Sequence, residues 1–82
     1  MSKANEFIKR VEFFIKCGDT QAPEVIKAQR LFKKIGGAEG AVLEMFYIRN
    51  LSYMVIEKKL FLSPRHVRRL KKSGIEKLEE ML

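Results

Sequence analysis

Eighty-two residues cap the chain at one small domain, and a chain this short hides only about 60–65% of its unfolded surface, so its core must come from economical local packing. A composition 46% hydrophobic and 33% charged argues against wholesale disorder, and one cysteine, one histidine and one aspartate leave no internal disulfide, catalytic triad or metal cluster in view. A formal net charge of +7 and a pI near 9.8 favour a polyanionic partner.

Glycine, proline and polar caps divide the sequence into helical pieces without strand-like alternation. The spacing predicts a first helix from about Lys3 to Lys16, where Phe7, Ile8, Val11, Phe14 and Ile15 form one apolar stripe. Gly18 then suits a left-handed helix end, with Cys17 expected as a small, partly buried residue just before it. A second helix opens at Pro23, a residue tolerated in a first turn, and Val25, Ile26, Ala28, Phe32 and Ile35 line it until Gly36-Gly37. A third is expected from about Glu39 to Arg49, burying some of Val42, Leu43, Phe46 and Tyr47. Asn50-Leu51-Ser52 breaks it, and Ser52 caps a short fourth helix from Tyr53 to Leu60. After Phe61-Leu62, Ser63-Pro64 is the strongest local signal in the chain: an N-cap serine followed by proline at the first helical position. The last helix runs from Pro64 towards Met81, with Val67, Leu70, Leu78 and Met81 in phase and small Gly74 in line with them. A mid-helix glycine is unfavourable by up to about 1 kcal/mol relative to alanine, so Gly74 marks either close helix approach or a break.

The distribution of charge matters more than its sum. Lys58, Lys59, Arg65, Arg68, Arg69, Lys71 and Lys72 lie within one stretch that holds no Asp or Glu, whereas cations elsewhere are interleaved with acids as on an ordinary solvated face. The last two helices have the layout of a helix-turn-helix: Ile56 and Leu60 point inward, Leu62 is buried in the turn, and Val67 and Leu70 point inward from the second helix. At about 100° per residue, facing Val67, Leu70 and Gly74 to the core sends Arg65, Arg68, Arg69 and Lys72 to the far side, with His66 and Lys71 on the flanks. The sequence therefore predicts an all-α single domain of about five helices over residues 1–82. Residues 1–38 form an N-terminal helical pair, and residues 39–82 a helix-turn-helix whose recognition helix spans about 64–73 and continues to 81.

Residues 42–78, VLEMFYIRNLSYMVIEKKLFLSPRHVRRLKKSGIEKL, resemble region four of bacterial sigma factors and related helix-turn-helix regulators. The resemblance rests on an apolar helix ending at Tyr47, Leu51-Ser52-Tyr53, inward Ile56, Leu60-Phe61-Leu62-Ser63, and a basic helix with inward Val67 and Leu70. The chain has no room for the other sigma regions and looks more like the small phage-encoded late-gene transcriptional regulators of the ArpU type. The thin catalytic inventory argues against an enzyme, and the resemblance implies a DNA-binding protein of a bacterial or phage-infected cytoplasm, with Ser63, Arg65, Arg68, Arg69 and Lys72 at the major groove. Two positions depart from the family: Glu57 stands where a small residue is usual, and Phe61 where the turn usually has glycine. Phenylalanine adopts the left-handed conformation only at a cost, so this turn must have another geometry or bear strain.

On this reading Arg65 or Arg69 grips guanine O6 and N7, while Lys58, Lys59, Lys71 and Lys72 meet phosphates and His66 is a DNA-binding residue on the flank or at a phosphate. The free amides at the Ser63 helix start offer a further phosphate contact. Partners are double-stranded DNA, RNA polymerase and a second copy of the chain; no cofactor or metal is expected, and no apolar run approaches the roughly 20 residues of a membrane span. Two alternatives remain. A protein-interaction module docking on RNA polymerase or an anti-sigma-like partner would use Phe13, Met54 and Phe61, which with Met45 do not all fit inside one small core. A phage DNA-packaging or recombination accessory would use the same fold on DNA.

Overall fold

The computed structural model describes residues 2–82, and these form five helices with no strand among the described residues. They are α1 (Lys3–Lys16), α2 (Pro23–Ile35), α3 (Gly37–Leu43), α4 (Tyr53–Leu60) and α5 (Pro64–Met81), and α3 runs on into a π-helical turn, Glu44–Ile48. The all-helical class and the helix count follow the expectation from periodicity. Helix α3 begins two residues before the expected Glu39, because Gly36 and Gly37 both take positive φ (65° and 56°) and turn the chain at once from α2 into α3.

The core has two parts. The larger gathers Phe7, Ile8 and Val11 from α1, Val25, Ala28, Leu31 and Phe32 from α2, Leu43, Tyr47 and, from the far end of α5, Leu78. The smaller is Val42, Ile56 and Val67, fully buried, with Met45, Leu60, Leu62 and Leu70 packed around them. The π turn, closed by an Arg49 amide bond to the Glu44 carbonyl of 3.0 Å, slips the helix face by one residue, so Tyr47 enters the large cluster while Phe46 touches both.

Three close approaches fix the arrangement. A Cβ added at Gly40 would strike the Phe32 carbonyl, so α2 and α3 touch backbone to backbone. One at Gly74 would lie 2.9 Å from Leu43 Cδ1, so close helix approach explains this glycine and α5 passes through it unbroken. The third is a cap between distant residues. Glu79 of α5 accepts from Ser2 Oγ at 2.7 Å, from the Lys3 amide at 3.1 Å and from the Ala4 amide, which binds the start of α1 to the end of the last helix. Those bonds hold the Glu79 carboxyl below the ordinary glutamate pKa. Glu39 on α3 likewise accepts from Lys77 Nζ at 2.6 Å and from Ser73, and its pKa is lowered for the same reason.

Cys17 departs from expectation. It is exposed at the C-cap of α1, beyond the last core residues of that helix. Met45 belongs to the smaller cluster, whereas Phe13, Met54 and Phe61 stand 61%, 65% and 93% exposed. Among the described residues no helix is long and apolar enough to cross a membrane.

Candidate nucleic-acid interface

Local chemistry first fixes where α5 starts. Ser63 is extended (φ −73°, ψ 159°), its hydroxyl accepts the His66 amide at 3.3 Å, and its carbonyl accepts the Val67 amide at 3.1 Å. Pro64 has no amide to donate. The Arg65 amide is therefore the one first-turn donor without a partner among the described residues, fewer than the several free amides expected there.

Helical phase then sorts the side chains. Val67 is fully buried and Leu70 half-buried against α4, while Arg65, His66, Arg68, Arg69 and Lys72 are exposed. Lys58 and Lys59 are exposed on the last turn of α4, directly before the turn into α5. Among the described residues the only carboxylate ion pair joins Lys77 to Glu39, so none of the seven cations between Lys58 and Lys72 is neutralised by an acid of the chain. The surface is strongly cationic and acid-free over two consecutive helix segments. That suits a polyanion whose charges are spaced along a rod.

Lys71 differs from its expected place on the flank. It follows buried Val67 by four residues and precedes buried Gly74 by three, which turns its stem toward the core side of α5. Its ammonium donates to Tyr53 Oη at 2.9 Å and lies 4.2 Å from the Phe46 ring centroid and 5.4 Å from those of Tyr47 and Tyr53. Burial works against its charge, but the bond to Tyr53 and the neighbouring Tyr47 outweigh that and hold its pKa above the ordinary lysine value. Burial also pushes the Tyr47 phenol up, against the pull of the Lys71 charge. Lys71 thus pins α5 to α4 and the π turn. The Arg68 guanidinium, 5.5 Å from the Tyr53 centroid, is steadied on the same ring while staying exposed. Sequence reasoning missed this aromatic seat, although the clustering of Phe46, Tyr47 and Tyr53 on either side of the Asn50 break was its signal.

An open groove of about 470 Å³ runs beside this seat, lined by Tyr47, Tyr53, Arg68, Lys71, Lys72 and Glu76 among others. The turn between α4 and α5 has the strained form of the two expected. Phe61 is left-handed (φ 55°, ψ 44°), and the Leu62 amide closes back on the Glu57 carbonyl at 3.1 Å. Half-buried Glu57 thus supplies the carbonyl that shapes the turn. Leu62 is half-buried against the smaller cluster, rather than fully buried as expected. Phe13 lies on α1, away from α4, whereas Met54, Lys58 and Phe61 follow one stripe of α4 and its cap. No protein-family model matches the chain, and neither does any curated protein or solved structure.

Proposed function

We propose that the chain is a sequence-specific double-stranded DNA-binding regulator of transcription, with α4 and α5 acting as a helix-turn-helix of the sigma region four kind. The N-terminal half of α5 enters the major groove, and Lys58 and Lys59 clamp the adjacent phosphates. One observation carries this reading: Arg65, Arg68, Arg69 and Lys72 are all exposed on α5 opposite Val67 and Leu70, and no acid neutralises them. Arg65 and Arg69, one turn apart, are the base-reading pair, and a bidentate arginine–guanine contact contributes about 1–3 kcal/mol of discrimination. Arg68 and Lys72, on the Tyr53 side, meet the backbone, while Lys71 acts by seating the helix. A single copy with this many cations binds modestly, so tight operator binding requires a second copy or RNA polymerase.

The test is Arg65→Ala with Arg69→Ala, measured for binding to duplexes selected from a random library, with helicity checked by circular dichroism. Loss of binding with helicity intact is the expected outcome. Undiminished binding would place the contact elsewhere. A second reading, docking on RNA polymerase or an anti-sigma-like partner, is favoured by the exposure of Met54 and Phe61 along α4. In that case the double variant keeps its DNA affinity, and Met54→Ser loses capture by the polymerase.

A further inference from the structure

We infer that Phe61 is an apolar reader of the thymine 5-methyl group, an inference that rests on the DNA reading and names what the turn adds to it. Two features of this residue pull against ordinary packing. Its backbone is left-handed at φ 55°, where a bulky side chain is disfavoured and glycine is not, and its ring is 93% exposed. An outward phenyl group at a strained backbone position contributes little to the fold. Gly18 is the internal contrast: it ends α1 at φ 78° with the same closure, the Asp19 amide bonding the Phe14 carbonyl at 2.9 Å, and uses no side chain to do so.

The surroundings say what the ring can meet. Lys58 and Lys59 precede it, Arg65 follows, and the first turn of α5 is capped by Ser63 two residues away, with no acid between Lys58 and Lys72. Such a collar repels a cationic partner and concentrates a polyanion around the ring. With the start of α5 in a major groove, the apolar chemistry within reach at base edges is the C5 methyl of thymine. The ring therefore adds selectivity for A·T pairs beside the guanines that Arg65 and Arg69 would take.

The experiment compares two duplexes of alternating dA and dT, about two helical turns long, identical except that uracil replaces thymine in one and so removes only the methyl groups. The wild-type chain should bind the thymine duplex about fourfold more tightly, the value of burying one methyl group. Phe61→Asn, which tolerates the left-handed backbone, should bind both duplexes equally, at the wild-type level for uracil, with a thermal midpoint no lower than that of the wild type. Equal wild-type affinity for the two duplexes overturns the inference and leaves the DNA reading standing. A thymine preference that survives in Phe61→Asn overturns it as well, since another side chain then reads the methyl. Loss of polymerase capture in that variant, with thymine preference intact, transfers the ring to a protein partner. If Arg68→Ala with Lys72→Ala, which removes two backbone contacts that any duplex offers, leaves both affinities unchanged, the DNA reading falls and takes the inference with it.

Discussion

The two halves of α5 are equally rich in charge but use it differently. Beyond Gly74, Lys77 bonds Glu39, Glu79 caps the start of α1, and Leu78 enters the larger core. Before Gly74, Val67 and Leu70 rest on the smaller cluster, and the cations around them meet tyrosine faces or solvent and no carboxylate. In the second half charge ties helices together. The chain has ten acids and aims two of them at these ties, yet places none among the first-half cations. Such selective pairing sets early α5 apart from an ordinary solvated face, on which cations and acids are interleaved.

The largest effects should come from the core that anchors the second half. Phe32→Ala should lose about 3–5 kcal/mol in denaturant unfolding, with every helix melting together. Ile56→Ala, in the smaller cluster, should lose about 2 kcal/mol or more. It should also release amide protection in α4 and early α5 well before α1 and α2, as read by hydrogen exchange. If both substitutions abolish protection uniformly, the two clusters are one cooperative unit and the contrast is broken. Gly74→Ala sits at the junction. Its Cβ would press on Leu43, at 2.9 Å from Cδ1, and that overpacking is partly offset by alanine's better helix propensity, so the net loss should be about 1 kcal/mol.

The ends of the pH scale separate the two halves by titration. The Glu39 and Glu79 pKa values are lowered on folding, so their contribution is complete above the ordinary glutamate pKa of about 4.3 and fades as pH falls through the lowered folded values. The thermal midpoint should drop across that acid window, and Glu79→Gln should flatten the drop. Lys71 and Tyr47 have raised folded values, so their contribution is complete below their ordinary pKa values near 10 and is lost as pH rises through the folded ones. Lys71→Met should flatten the alkaline fall and leave the acid one unchanged. If it leaves the alkaline fall unchanged, the aromatic seat is not what holds early α5.

Much of the fold was legible because local rules agreed. The stripe from Phe7 to Ile15, the Ser63-Pro64 start and the left-handed Gly18 are each decided by neighbours a few residues away. The π turn was hidden because the run from Val42 to Ile48 is apolar nearly throughout and shows no phase for a slip to disturb. The Glu79 cap joins residues 75 apart and has no local signature in the sequence. At the candidate interface the exposed arginines followed from phase alone. Lys71 did not, because its seat is built by Phe46, Tyr47 and Tyr53 from segments that only the fold brings together.

The most direct measurement is the salt dependence of duplex binding for three forms: the wild type, Arg68→Ala with Lys72→Ala, and Lys77→Ala. With about five phosphates neutralised, the logarithm of affinity should fall against the logarithm of salt concentration with a slope of roughly −4 to −5 in the wild type. The slope should become shallower by about 2 in the variant that loses Arg68 and Lys72 and stay unchanged in Lys77→Ala. A flat wild-type slope, or equal slopes for the wild type and the variant that loses Arg68 and Lys72, would contradict the claim that early α5 is where the chain meets nucleic acid.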